Sequence, residues 1–314
     1  MKERLRELIK RVPVLGKPYV QRDELRAIVN ELWEPPGHFY SPIPSIEEIR
    51  SHESVIFATD SRELGGIDLN ESGQLALLKE LTRYYGEQPF PVERSEGRRY
   101  FFENGAFSYF DAIVLYCMIR CLRPKKIIEI GSGYSSCVFL DVNELFFGNA
   151  ISCTFIEPHP QLLYSLMREE DKNGVSVIAR KLQDVDLRLF SALEANDILF
   201  VDSSHVAKTG SDVNRIFFEV LPVVREGVYV HFHDVFYPFE YPKEWVYQGR
   251  AWNEAYILRA FLQYNERFKI VFFNSFLESF HREILAEEMP LCLRHSSSSM
   301  IPTSAQSIWL KRVR

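Results

Sequence analysis

Short apolar runs alternate with stretches of helical periodicity from Tyr100 to the end of the chain. The runs Lys126–Ile130, Ile151–Ile156, Val175–Ala179, Asp197–Val201, Val228–Phe232, Lys269–Phe273 and Ser307–Lys311 read as strands. Tyr109–Leu122 reads as a helix ahead of the first strand, and Tyr134–Val142, Gln161–Arg168, Asp212–Val224 and Asn253–Gln263 as helices between strands. Strands that are apolar throughout and separated by helices belong to a mostly parallel sheet covered on both faces. The pattern predicts an α/β fold with a doubly wound, seven-stranded sheet. Ligands of such sheets bind beyond the carboxyl ends of the strands, near the switch in strand order. Functional residues are therefore expected just after the first, second, fourth and fifth strands.

The chain before this pattern is organised differently. Residues Met1–Arg11 set Lys2, Arg4, Arg6, Lys10 and Arg11 against Leu5, Leu8 and Ile9 at helical spacing. Such a basic amphipathic helix either covers its own domain or lies on an anionic membrane or partner. A second helix is expected over Arg22–Leu32. Pro35–Pro44 is too rich in proline for a helix or a central strand. It is expected to be a rigid extended loop, a linker or a lid that offers His38 and Tyr40 to an acceptor. Glu71–Tyr85 reads as a helix capped by Asn70. The polar stretch Pro89–Arg98 places a soft boundary, giving a helical extension or lid over residues 1–95 and the main domain over 96–314.

The stretch Ile128-Glu129-Ile130-Gly131-Ser132-Gly133-Tyr134-Ser135-Ser136 is a strand, a glycine-rich turn and a helix start. Glycines at 131 and 133 permit positive φ and close approach of a ligand to the backbone. The helix start offers free N–H groups to an anion. A dinucleotide is the first rival, but Glu129 would face its pyrophosphate. At about 6 Å and an effective dielectric near 20, that repulsion is roughly 3 kcal/mol. A ligand with an ammonium and a sulfonium, such as S-adenosylmethionine, is favoured instead. Glu157 follows the second strand, 24 residues past Gly133, near the spacing of about 20 expected of an acid on a ribose hydroxyl pair. Gln183 and Asp184, after the third strand, are candidates for an adenine edge.

The fourth strand ends in Asp202-Ser203-Ser204-His205 and the fifth in His231-Phe232-His233-Asp234. Alternation puts His231 and His233 on one face. Two carboxylates and an imidazole can hold a divalent ion with open positions, or they can form a hydrogen-bonded network that caps the strand ends. A histidine near neutral pKa suits a general base.

Composition narrows the setting. With 314 residues, 46% hydrophobic and 25% charged, the chain has an ordinary globular make-up. A net charge of −6 gives no basic footprint for nucleic acid. No apolar run reaches the ~18 residues of a membrane span, and the N-terminus lacks a signal-peptide core. Five cysteines without zinc spacing read as buried thiols in a reducing cytoplasm.

The loop at Ile128–Ser136, the run Asp197–His205, the run Gly227–Val235 and Trp252-Asn253-Glu254 at a helix head together resemble the methyltransferase domain 24 group. This is a branch of the class I S-adenosylmethionine-dependent methyltransferases. The resemblance covers roughly Tyr100–Val271 and implies a Rossmann-like sheet of the class I type with a helical N-terminal extension. It implies S-adenosylmethionine held by Glu129, Gly131, Ser132, Gly133, Tyr134, Glu157, Gln183 and Asp184. The group is similar to metal-dependent O-methyltransferases acting on sugar hydroxyls. That likeness implies Mg2+ or another divalent cation on Asp202, His233 and Asp234, His205 as base, and a small-molecule or glycan acceptor. His231, Trp252, Asn253 and Glu254 would then face the acceptor. His233 departs from the pattern, because relatives carry a carboxylate or amide there and imidazole is softer than magnesium prefers. The competing expectations are a metal hydrolase or oxygenase built on His231, His233 and Asp234, and a non-catalytic binder of the same fold.

Overall fold

The computed structural model describes residues 32–59, 61–297, 299, 301 and 303–314. It divides into two compact units, Met1–Ile56 and Phe57–Arg314. The expected helices at Met1–Arg11 and Arg22–Leu32 lie outside the described residues, Leu32 excepted.

In the first unit, Pro35–Pro44 folds back on itself instead of running extended. The Gly37 amide donates to the Ile43 carbonyl at 3.0 Å, and the Ser41 amide to that of His38 at 2.8 Å. Tyr40 stacks on Trp33 at 5.3 Å, and the His38 ring lies beside Phe39 at 4.6 Å. Short helices Ile46–Ser51 and Glu53–Ile56 follow, the first capped by the Ser45 hydroxyl.

The second unit holds seven strands. They are β1 (Lys126–Ile130), β2 (Ser152–Ile156), β3 (Ser176–Ile178), β4 (Ile198–Val201), β5 (Tyr229–His233), β6 (Phe268–Phe273) and β7 (Ser307–Arg312). The order across the sheet is β3-β2-β1-β4-β5-β7-β6. β1 to β5 are parallel, and β7 runs antiparallel to both β5 and β6. The switch in order falls between β1 and β4, where chain direction leaves the two strand tips open to a ligand. Their residues are Ile127, Ile128, Ile130 and Ile198–Val201, all buried, as a sheet covered on both faces requires.

Glu71–Tyr85 is a helix as expected, and it packs on the helix Tyr109–Leu122 and on β6. Packing thus joins it to the sheet-bearing unit, upstream of the boundary expected near residue 95. Asn70 does not cap it. Its backbone is left-handed and its amide donates across to the Ile270 carbonyl at 2.8 Å. The helix expected over Asp212–Val224 opens into a π-turn at Ile216–Val220. Pro222 follows after one residue; it lacks an N–H and crowds the preceding turn, which a wider turn accommodates. Helices Asn274–Phe280 and Arg282–Glu288 were not expected, since their apolar spacing is short and lies between β6 and β7. No helix among the described residues is long and apolar enough to cross a membrane. Cys117, Cys137, Cys153 and Cys292 are buried thiols, and Cys121 is half-buried.

Candidate active site

Register aligns the tips. Ile130 of β1 pairs with Ile156 of β2 and with Val201 of β4, so Gly131, Glu157 and Asp202 leave the sheet side by side. Gly131 has φ +79°, and a Cβ on it would meet the Asp202 carbonyl oxygen at 1.8 Å. Glycine is required here because two strand tips approach each other, which is a reason distinct from ligand access. Gly133 is different: its φ of −170° is extended backbone, so the positive φ expected of it is not found. Its amide donates to the Ser136 hydroxyl at 3.1 Å at the start of the helix Tyr134–Phe147.

Glu129 is fully buried under that turn. It accepts hydrogen bonds from the Ser135 hydroxyl at 2.6 Å and from the Ser136 hydroxyl. Burial pushes its carboxyl up to about 8, against the pull of the two hydroxyls. At neutral pH it is a largely neutral pin between β1 and the helix start, where an open anionic wall was expected. Ser132 donates its amide to Glu157 Oε2 at 3.3 Å, and His159 donates to Glu157 Oε1 at 2.7 Å. Tyr134 packs edge-on to Phe101.

A cavity of about 440 Å³ lies over these tips. Gly131, Glu157, Gln183, Asp202, Lys181 and Lys208 are among the residues lining it. Gln183 donates to the Gly210 carbonyl at 2.6 Å. Asp184 is exposed, with its amide turned into a 3-10 turn, and it does not line this cavity. The two lysines carried no recognisable spacing in the sequence.

A second cavity, about 240 Å³, opens beside the first and is lined by Asp202, His233, Asp234, Trp245, Arg250 and Gln306 among others. Asp202 lines both. The cavities meet at Asp202, and His205 beside this junction is buried, with a left-handed φ of +59°; Asp234 likewise has φ +56°. Strain of that kind, on the order of 1–3 kcal/mol per residue, gathers at functional sites. His205 Nε2 lies 3.4 Å from Asp202 Oδ1 and 3.4 Å from Asp234 Oδ2, and Nδ1 lies 2.8 Å from Glu254 Oε2. Burial pulls the His205 pKa down. The hydrogen bonds to Asp202 and Glu254 and the charge of Asp234 override it and hold the ring well above the ordinary histidine range.

Glu254 and Asn253 were expected to face an acceptor. Instead they fasten the loop that carries His205. Their amides both donate to the His205 carbonyl, at 3.1 and 3.0 Å. Asn253 Oδ1 accepts from the Ala207 amide at 2.6 Å, and Glu254 Oε1 from the Ser203 hydroxyl at 2.8 Å. Trp252 does reach the site, its ring 4.4 Å from that of His205.

His231 does not. It is buried within β5, stacked on Phe200 at 3.8 Å and edge-on to Trp309 at 4.8 Å, and its Nδ1 has no hydrogen-bond partner among the described residues. Burial drives its pKa well below the ordinary value. It is a core residue, so the site built on His231, His233 and Asp234 is not formed. His231 and His233 do share a face, their rings 6.0 Å apart.

His233 is turned partly inward. Its Nδ1 lies 3.7 Å from Asp111 Oδ2 and 3.4 Å from the Ser307 hydroxyl, while Nε2 lies 3.5 Å from Asp234 Oδ1. Burial raises Asp111 to about 7 against the pull of His233. Asp111 was missed. Its signal was available as the one acidic residue in the helix Tyr109–Leu122, set in a run that is otherwise apolar up to Arg120. Among the described residues, the side-chain atoms that converge closely enough for one metal ion, within 4.8 Å of one another, belong to Asp202, His205 and Asp234. The expected set had His233 where this one has His205. Two carboxylates and an imidazole fit a borderline divalent ion better than a pure oxygen site would. His38 and Tyr40 stand in the first unit, where the Tyr40 amide donates to His38 Nδ1 at 3.3 Å.

Comparison with known proteins follows this geometry. Residues 128–235, which run from β1 to the residue after Asp234, match the family described as a methyltransferase domain. A protein of Archaeoglobus fulgidus without an assigned function is 39% identical over 175 residues, spanning 52% of this chain and 75% of its own. Solved structures with a similar chain path include the S-adenosylhomocysteine-bound methyltransferase PaMTH1 of Podospora anserina. It is 15% identical with a TM-score of 0.41, covering 87% of this chain and 99% of that one. The O-methyltransferase TomG of Streptomyces achromogenes is 12% identical with a TM-score of 0.40, covering 85% and 96%. The matched segment, residues 128–235, spans both strand tips of the site, and over that segment the chain is similar to the methyltransferase domain family.

Proposed function

We propose that the protein transfers the methyl group of S-adenosylmethionine to a hydroxyl oxygen of a sugar or other small-molecule or glycan acceptor, with His205 as general base. One observation carries this reading: Asp202 lines both cavities, and His205 Nε2 lies 3.4 Å from its carboxylate. The larger cavity suits an adenosyl group, with Glu157 on the ribose hydroxyls and Gln183 beside the base. The smaller one suits the acceptor.

The sulfonium is already a good leaving group, so the protein has to align an oxygen with the methyl carbon and take its proton. Positioning of two reactants supplies roughly 7–11 kcal/mol of such a barrier. Glu254 on Nδ1 fixes the ring so that Nε2 faces the junction. Nε2 then receives the hydroxyl proton as the carbon–oxygen bond forms, and the donor leaves as S-adenosylhomocysteine. A divalent cation held by Asp202 and Asp234 would supply Lewis acidity at the hydroxyl and cancel charge that otherwise keeps a proton on Nε2. With such an ion present, His205 is reserved for the base and only the two carboxylates act as ligands.

Calorimetric titration with S-adenosylmethionine, with and without magnesium, tests the reading on wild type and Glu157→Ala. Saturable binding weakened at least tenfold in the variant is expected. Wild-type protein that takes up no S-adenosylmethionine in either condition would overturn it.

A further inference from the structure

Arg250 projects into the smaller cavity and has no role in the scheme above. Its guanidinium carbon lies 4.2 Å from the centre of the Trp245 ring and 4.9 Å from that of Trp252. Among the described residues it makes no ion pair within 4.0 Å, although Asp234 lines the same cavity. Arg99 shows what a structural arginine does in this protein. It is clamped at 2.5–2.8 Å between Asp171 and Asp141. Arg250 is instead cradled by two indoles set at 76° to each other, neither of which can accept the charge-assisted hydrogen bonds that carboxylates accept from Arg99. Planar, edge-on donors in a fixed fork are the arrangement that recognises a carboxylate or a phosphate. The indole walls lower the guanidinium's freedom and its hydration, so less is lost when an anion docks.

We infer that Arg250 is a specificity residue that binds an anionic group, carboxylate or phosphate, on the same molecule that carries the hydroxyl to be methylated. The inference rests on the methyl-transfer reading of the site and narrows its acceptor from any hydroxyl compound to a hydroxy acid or phosphorylated alcohol. One competing source of the same chemistry is the carboxylate of the methyl donor itself, since this cavity shares Asp202 with the larger one.

The test labels the tryptophan indoles for two-dimensional nitrogen–proton spectra and assigns Trp245 and Trp252 by single replacement with phenylalanine. Full-length protein is titrated with matched pairs: catechol and 3,4-dihydroxybenzoate, then glucose, glucuronate and glucose 6-phosphate. Each titration is run with and without S-adenosylhomocysteine. The expected result is a saturable shift of both indoles by the anionic members, at least tenfold tighter than by their neutral partners. The preference is lost in Arg250→Gln and partly kept in Arg250→Lys. Glucuronate against glucose 6-phosphate tells carboxylate from phosphate. Equal affinity for neutral and anionic partners, or no shift of either indole by any anion, overturns the inference. So does an Arg250→Gln variant whose S-adenosylhomocysteine affinity drops by the same factor, which would assign the guanidinium to the donor. Failure of the methyl-transfer reading looks different, because wild type would then bind no S-adenosylhomocysteine by calorimetry.

Discussion

His205 holds three carboxylates apart and is held by them. Asp202 and Asp234 approach Nε2 at 3.4 Å each, and Glu254 holds Nδ1 at 2.8 Å. Of the three, Glu254 is the buried one that also grips the backbone of the loop. Removing its charge while keeping its shape should therefore act through the imidazole. In Glu254→Gln the His205 pKa is expected to fall, since one of the groups that raise it is gone. Nitrogen-detected NMR titration of the ring checks this directly. Methyl transfer is expected to drop roughly 10- to 100-fold, the usual cost of losing an orienting partner, with S-adenosylmethionine affinity unchanged. A His205 pKa that stays put would show that Glu254 acts on the loop alone. Glu129 shows the opposite economy. The residue expected to repel a pyrophosphate is neutralised by burial and spends its oxygens on two serine hydroxyls.

Among the elements, β5 separates function from packing along five residues. Its last residue, His233, reaches the cavity, whereas His231 two positions earlier lies between Phe200 and Trp309. Both face the same way, but only the strand tip escapes the helices that cover the sheet. His231 is buried neutral, with its folded pKa depressed, so the unfolded chain binds more protons below its ordinary value. Its contribution to stability is complete above about pH 6.5 and is lost as pH falls below that value, by at most about 1.4 kcal/mol per pH unit. His231→Leu keeps the volume near constant and is expected to change stability by less than about 1.5 kcal/mol at pH 7.5. Between pH 6.5 and 5 the variant should lose less stability than wild type. Urea unfolding at both ends of that range measures the difference.

For the molecule as a whole, the loop ahead of the helix Tyr109–Leu122 is anchored by charge. Arg99 binds Asp141 and Glu144 on the helix Tyr134–Phe147 and Asp171 beyond the helix Gln161–Leu166. The arginine is 5% exposed, Asp141 2% and Asp171 8%, so water cannot replace a lost partner. Arg99→Met should cost about 3–5 kcal/mol, because it strands two buried carboxylates. In a unit of this size that lowers the melting temperature on the order of 10 °C, which calorimetry would read. An unchanged melting temperature would mean that the carboxylates take up protons and repack without the cation.

Apolar periodicity alone determined the α/β class and all seven strands to within one residue at each end. It did so because a strand buried on both faces must be apolar along its length, and this reads without knowledge of its neighbours. Gly131, Glu157, Asp202 and His205 were legible for a related reason: parallel sheets put ligands after the strands, and the strands were visible. What each side chain does there was decided only by packing. Glu129 is a pin because a helix start covers it. Glu254 orients His205 and Asn253 ties its loop because a helix head from fifty residues on meets the β4 tip. His231 is core because Trp309, on a strand added antiparallel at the far end of the chain, closes over it. Asp111 acquires its partners Asn274, Gln306 and His233 only when distant segments converge. Sequence spacing reports which way a residue faces along its own element; it carries no record of what the rest of the chain brings against that face.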